Sequence, residues 1–169
     1  RLRHERHTQG AEVAISPVVL KAVEPFVSGA KPALDAKTSG STFSGHLIFA
    51  ELAERTGDAK YTALVKAVGD RAFDAQGKPL SSMPSHNEMS DAVFMAGPIL
   101  AYAGKLTGDA KYYEASVRNM KFMQKLCLRK DGIYRHSPLD EAAWGRGNGF
   151  PALGLTWTLD ALPEARRGF

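Results

Sequence analysis

Thr56-Gly57-Asp58-Ala59-Lys60-Tyr61 returns unchanged as Thr107-Gly108-Asp109-Ala110-Lys111-Tyr112, and this doublet decides the fold. The copies lie 107 − 56 = 51 residues apart, the span of two helices and their connections. An apolar segment precedes each: Leu47, Ile48, Leu52 and Ala53 in one case, Ile99, Leu100 and Ala103 in the other. Gly57 and Gly108 suit the left-handed position that ends a helix, where a Cβ is penalised. Asp58 and Asp109 suit the cap of the helix that follows. Its apolar stripe is Tyr61, Leu64, Val65, Val68 and Ala72 after the first copy. After the second copy the best phase is Tyr113, Val117, Met120 and Met123.

Working outward, helices are expected near 11–24, 43–55, 59–74, 89–105, 109–128 and 148–162, with one strand candidate at 132–135 after the turn Lys130-Asp131-Gly132. Consecutive αα-hairpins of this length predict an all-α chain, an α/α toroid of the (α/α)6-barrel type in which inner and outer helices alternate. At 51 residues per hairpin, 169 residues supply about three of the six, so a partial barrel is expected. Residues 1–10 read as a ragged lead-in and 11–169 as part of a single toroid domain. A half-ring leaves apolar faces uncovered. The chain is therefore expected either to belong to a longer polypeptide carrying the second half or to self-associate through its open edge.

Composition narrows the function. The 22 Lys+Arg against 18 Asp+Glu give a net charge of +4, spread thinly, with no basic stripe or aromatic platform for nucleic acid. The apolar runs fall far short of the ~18 residues a membrane span needs. Cys127 is the single cysteine, which rules out an internal disulfide and cysteine-based zinc sites. The five histidines show no i,i+4 spacing, so no metal is expected. No secretory leader is visible, and the compartment stays open between cytoplasm and periplasm.

Three segments carry more chemistry than packing requires. Ser85-His86-Asn87-Glu88-Met89-Ser90-Asp91 opens a helix whose stripe is Met89, Val93, Ala96, Leu100 and Ala103. Asp91 lies at its first turn, either as an aspartate favouring the macrodipole, with Ser90 or Asn87 capping, or as an acid lining a cleft. Pro98 inside that helix removes a donor and predicts a kink. Asp131-Gly132-Ile133-Tyr134-Arg135-His136 is a turn that delivers a histidine. Trp144-Gly145-Arg146-Gly147-Asn148-Gly149 alternates glycine with an indole, a cation and an amide, a set suited to an anionic sugar. Asn148 alternatively caps the helix after a glycine-rich loop.

Met89 to Pro98, Leu106 to Tyr112, Asp131 to His136 and Trp144 to Phe150, taken in that order, resemble the unsaturated glycuronyl hydrolases, glycoside hydrolase families 88 and 105. Unsaturated rhamnogalacturonyl hydrolase is the nearest type, and the resemblance spans roughly residues 41–167. It implies an (α/α)6 barrel that removes an unsaturated uronic acid from the non-reducing end of lyase-generated oligosaccharides by hydrating its C4=C5 double bond. It implies Asp91 as general acid/base and His136, Trp144 and Arg146 around the sugar and its carboxylate; Asn148, from its amide, and His86 are expected as further substrate contacts. The implied partner is an acidic oligosaccharide, and no metal or organic cofactor is needed. Phe150 stands where the family has Trp, and Ser41-Thr42-Phe43-Ser44 where it has a second aspartate, Asp35 being the nearest carboxylate. Two other classes stay open: an N-acyl-sugar 2-epimerase, which would need paired histidines such as His86 and His136, and a non-catalytic partial toroid binding acidic glycans or a protein.

Overall fold

A computed structural model describes residues 14–84 and 88–169. The described residues divide into two compact units, with the boundary between Ala33 and Leu34. The first holds α1 (Pro17–Val27), capped by the Ser16 hydroxyl, which accepts from the Val18 N–H. It begins later than periodicity suggests because Pro17, lacking an N–H, fits the first helical position. The expected lead-in 1–10 lies outside the described residues.

The second unit runs α2 (Gly40–Gly45), α3 (Leu47–Thr56), α4 (Ala59–Asp70), α5 (Ala92–Thr107), α6 (Ala110–Cys127) and α7 (Gly145–Ala161), then a short 3-10 turn at Glu164–Arg166. The repeated hexapeptide makes the same turn twice, bond for bond. Thr56 and Thr107 each donate a hydroxyl to a carbonyl four residues back, at 2.7 and 2.6 Å. Gly57 and Gly108 have φ of 67° and 73°, and each N–H reaches the previous turn. Asp58 and Asp109 each cap the next helix by accepting from Lys60 N and Lys111 N at 3.0 Å. Two hairpins result, α3/α4 and α5/α6, and α7 begins a third.

α5 is the hub, packed on α6 and α7 and also touching α2, α3 and α4. It is buried on most of its surface: Val93, Ile99, Ala101 and Ala103 are fully enclosed. Gly97 explains the closeness, since a Cβ there would meet Met120 of α6 on one side and the Thr158 hydroxyl of α7 on the other. Because each hairpin reverses the chain, α3, α5 and α7 run the same way and form the inner layer, with α4 and α6 outside. Leu47 and Glu51 of α3, Tyr102 of α5 and Trp157 and Asp160 of α7 line one cavity of about 500 Å3. The architecture is a partial α/α toroid.

The three inner helices also share a plan that residue identity hides. Their N-cap positions are Ser39, Asp91 and Trp144. Seven residues on from each comes His46, Pro98 or Pro151, a break in the inner helix or a proline within it. α2 and α3 are thus the two pieces of the first inner helix, parted at His46, whereas α5 and α7 continue through their prolines.

Three expectations need correction. Met120 and Met123 are buried on α6 as expected, but its first turns bury Tyr112, Ala115, Ser116 and Asn119 and leave Tyr113 and Val117 half-buried, because the Tyr112 ring is drawn over Gly69 of α4 and its hydroxyl onto Asp70. Residues 132–135 form no strand: a single bridge pairs Leu128 with Tyr134 across a turn at Gly132 (φ 81°), directly off the end of α6. α7 starts at Gly145, with Trp144 and not Asn148 at the N-cap.

Candidate active site

Asp91 begins α5 in a helical conformation, and its carboxylate makes no cap bond. The residue is 9% exposed, and Oδ1 is buried with no hydrogen-bond partner among the described residues. An unsatisfied buried oxygen costs about 1–3 kcal/mol, so such atoms are rare and need a reason. Ser90 does not cap the helix either. Its N–H donates to the His136 carbonyl and its hydroxyl to the Gly147 carbonyl, both at 2.9 Å.

Those two carbonyls belong to the other two segments singled out by sequence. The loop after α6 is held by Arg135, whose guanidinium donates to the Leu126 carbonyl and pairs with Glu141, and by the His136 N–H, which donates to Ala142. The half-buried His136 ring accepts from Trp144 Nε1 through Nδ1 at 3.2 Å, the rings 5.6 Å apart and edge-on. An indole N–H only donates, so Nδ1 accepts in this bond, and the tautomer that fits it carries the ring proton on Nε2. The exposed Arg146 guanidinium lies over the Trp144 ring, 4.1 Å from its centroid. His136, Trp144 and Arg146 thus form one continuous stack.

Trp144 also explains a glycine. A Cβ on Gly147 would stand 2.5 Å from the indole Nε1, so the ring folds back over this position. Gly145 and Gly149 meet nothing within 4 Å. Asn148 is committed elsewhere: Oδ1 accepts from Tyr134 N at 2.9 Å, and Nδ2 donates to the carbonyls of Tyr134 (3.0 Å) and Trp144 (3.3 Å). Its amide protons, expected to meet sugar hydroxyls, instead fasten the histidine loop to α7. Burial pushes the Tyr134 phenol beside it up to about 12. His86 lies outside the described residues.

Asp35 makes its own turn, accepting from Lys37 N and the Thr38 hydroxyl, and is occupied. The equivalent of Asp91 on the first inner helix is Ser39, which sequence reading passed over because nothing in its residue type marks it. Ser90 was legible only as a possible cap. Its long-range bonds become visible only in the fold.

No curated protein is significantly similar to the chain. Among solved structures, one described as a polysaccharide lyase superposes with a TM-score of 0.69 at 16% identity, covering 88% of this chain and 49% of that one. That likeness shows the shared toroid architecture, and the chain spans about half the length of the structure it matches. The family model for Glycosyl Hydrolase Family 88 matches residues 84–169, the segment holding Asp91, His136, Trp144, Arg146 and Asn148. On that match the chain belongs to Glycosyl Hydrolase Family 88.

Proposed function

We propose that the chain contributes the acid/base centre and uronate wall of a hydrolase that removes an unsaturated uronic acid from the non-reducing end of lyase-generated oligosaccharides, of the unsaturated rhamnogalacturonyl type. The observation that carries this reading is the buried, unpartnered Oδ1 of Asp91 on the residue next to Ser90, which bonds both segments of the His136–Trp144–Arg146 stack. The Asp91 carboxyl gives its proton to C4. Water then adds its oxygen to C5 and surrenders a proton to the Asp91 carboxylate, which restores the acid. The C5 hemiketal opens to a ketone, the ring oxygen becomes a hydroxyl on C1, and the resulting hemiacetal releases the rest of the chain as an alcohol. Trp144 supports the guanidinium that Arg146 offers to the carboxylate, and His136 offers its Nε2–H to a hydroxyl.

The test is loss of the ultraviolet absorbance of the unsaturated uronate on incubation with lyase-digested pectin or glycosaminoglycan. Asp91→Asn removes general acid–base catalysis, worth about 10²–10⁴-fold, and is expected to abolish turnover while leaving binding. Turnover at the wild-type rate in that variant overturns the assignment. Binding without absorbance loss in the unaltered chain favours a glycan-binding toroid.

A further inference from the structure

We propose that Ser90 is a positioning residue that sets the catalytic carboxylate of Asp91 against the His136–Trp144–Arg146 wall. The inference rests on the functional reading above and adds a residue to it. Ser90 is fully buried and is covalently next to Asp91, so whatever it grips is one peptide unit from the carboxylate-bearing residue. It grips both halves of the wall: the backbone of His136 through its N–H and the backbone of Gly147 through its hydroxyl.

The second bond has a reason written into α7. Gly147 would ordinarily give its carbonyl to the N–H four residues on, but that residue is Pro151, which has none. Proline inside the helix therefore frees the Gly147 carbonyl, and the Ser90 hydroxyl satisfies it. Gly147 is itself pinned by the indole of Trp144 folded over it. The wall holds together without Ser90, through the Trp144–His136 bond and the Asn148 amide. What Ser90 adds is the wall's registration on α5.

Ser90→Ala is accordingly expected to lower kcat about 10- to 100-fold, as misplacement by roughly an ångström does, with KM within about threefold. Ser90→Thr, which restores the hydroxyl, recovers kcat, and Ser90→Cys, which keeps the volume, stands in if the alanine variant does not fold. Amide hydrogen exchange provides a readout independent of turnover: losing the Gly147 anchor speeds exchange at Asn148 and Gly149 about fivefold or more, while α6 is unchanged. The proposal is overturned if Ser90→Ala keeps kcat within about twofold, if KM rises with kcat unchanged, or if exchange at Asn148 and Gly149 does not move. Asp91→Asn assayed alongside separates the two claims. Loss of turnover there with an unaffected Ser90→Ala sinks only the positioning role, whereas turnover in Asp91→Asn sinks the acid/base reading and this inference with it.

Discussion

Gly154 sits where α7 crosses α5, and replacing it with alanine tests the packing that sets the site. A Cβ there would stand 2.8 Å from Phe94 Cα, Phe94 N and Val93 C. These are backbone atoms of the first turns of α5 and cannot rotate aside. Carbon atoms settle at about 3.5–4.0 Å, so α7 must retreat from α5 by roughly 0.7–1.2 Å. Overpacking of this kind costs about 1–3 kcal/mol, and the better helix propensity of alanine returns up to about 1 kcal/mol. The net expectation is about 1–2 kcal/mol of destabilisation, or a melting temperature lower by about 2–8 °C at this size. Gly149→Ala is the control, since its Cβ meets nothing within 4 Å and gains propensity alone. It should melt at or above the wild type. Val93 and Phe94 follow Asp91 within three residues, so the retreat also opens the gap between acid and wall, and Gly154→Ala should lose up to about 10² in kcat. Paired thermal melts and uronate-absorbance assays read both effects. Gly154→Ala melting at or above the wild type would refute the argument that α5 and α7 are in backbone contact there.

Arg146→Ala is expected to raise KM about tenfold or more with kcat little changed, because a carboxylate clamp serves ground state and transition state alike; steady-state kinetics decide it. Burial pulls the His46 imidazole below its ordinary range, outweighing the bond to the Thr42 carbonyl, which acts the other way. The unfolded chain therefore takes up a proton before the folded one does, so stability is full above pH about 6.5 and falls below it, by up to about 1.4 kcal/mol per pH unit. Urea midpoints at descending pH should fall more steeply for wild type than for His46→Asn. Leu153 and Trp157 on α7 are 48% and 40% exposed, and we propose that this face is covered either by further polypeptide completing the toroid or by a second copy of the chain. Light scattering should find a species larger than the monomer, and a monomer with a cooperative melt would count against it.

The hairpins were legible because their turn is local: Thr, Gly and Asp, consecutive in sequence, make their turn bonds with groups no more than four residues away. The shared plan of the inner helices was not. Ser39, Asp91 and Trp144 have nothing chemical in common, and neither do His46 and the two prolines, so the seven-residue spacing shows only once the helices are in place. The glycines at 145 and 147 read as a loop because each costs about 1 kcal/mol in a helix relative to alanine. Gly147 is nonetheless required there, by an indole three residues earlier, and Gly154 by another helix entirely. Asn148 was visible as an amide worth explaining, but its main partner is the Tyr134 backbone, fourteen residues upstream. In each case a residue's role is set by a neighbour distant in sequence, or by packing that local propensity does not register.

The same non-local logic orders the site. The N-terminal ends of α5 and α7 favour an anion by only about 0.3–1 kcal/mol each, whereas charge-assisted hydrogen bonds from a guanidinium bring about 1.5–3 kcal/mol apiece. Arg146 is therefore the group we propose as the main partner for a substrate carboxylate. Yet Arg146 is exposed and held by its stacking on Trp144, and Trp144 is held by its bond to the His136 ring. His136 in turn hangs from Ser90 through its carbonyl. Each group that would touch the substrate is thus placed by the next one inward, and the chain of supports ends on the residue beside Asp91. On the proposed reading, recognition of the carboxylate and delivery of the proton would be set by one connected backbone arrangement, and a change that loosens the wall from α5 would reach the chemistry even where every substrate-contacting side chain remains.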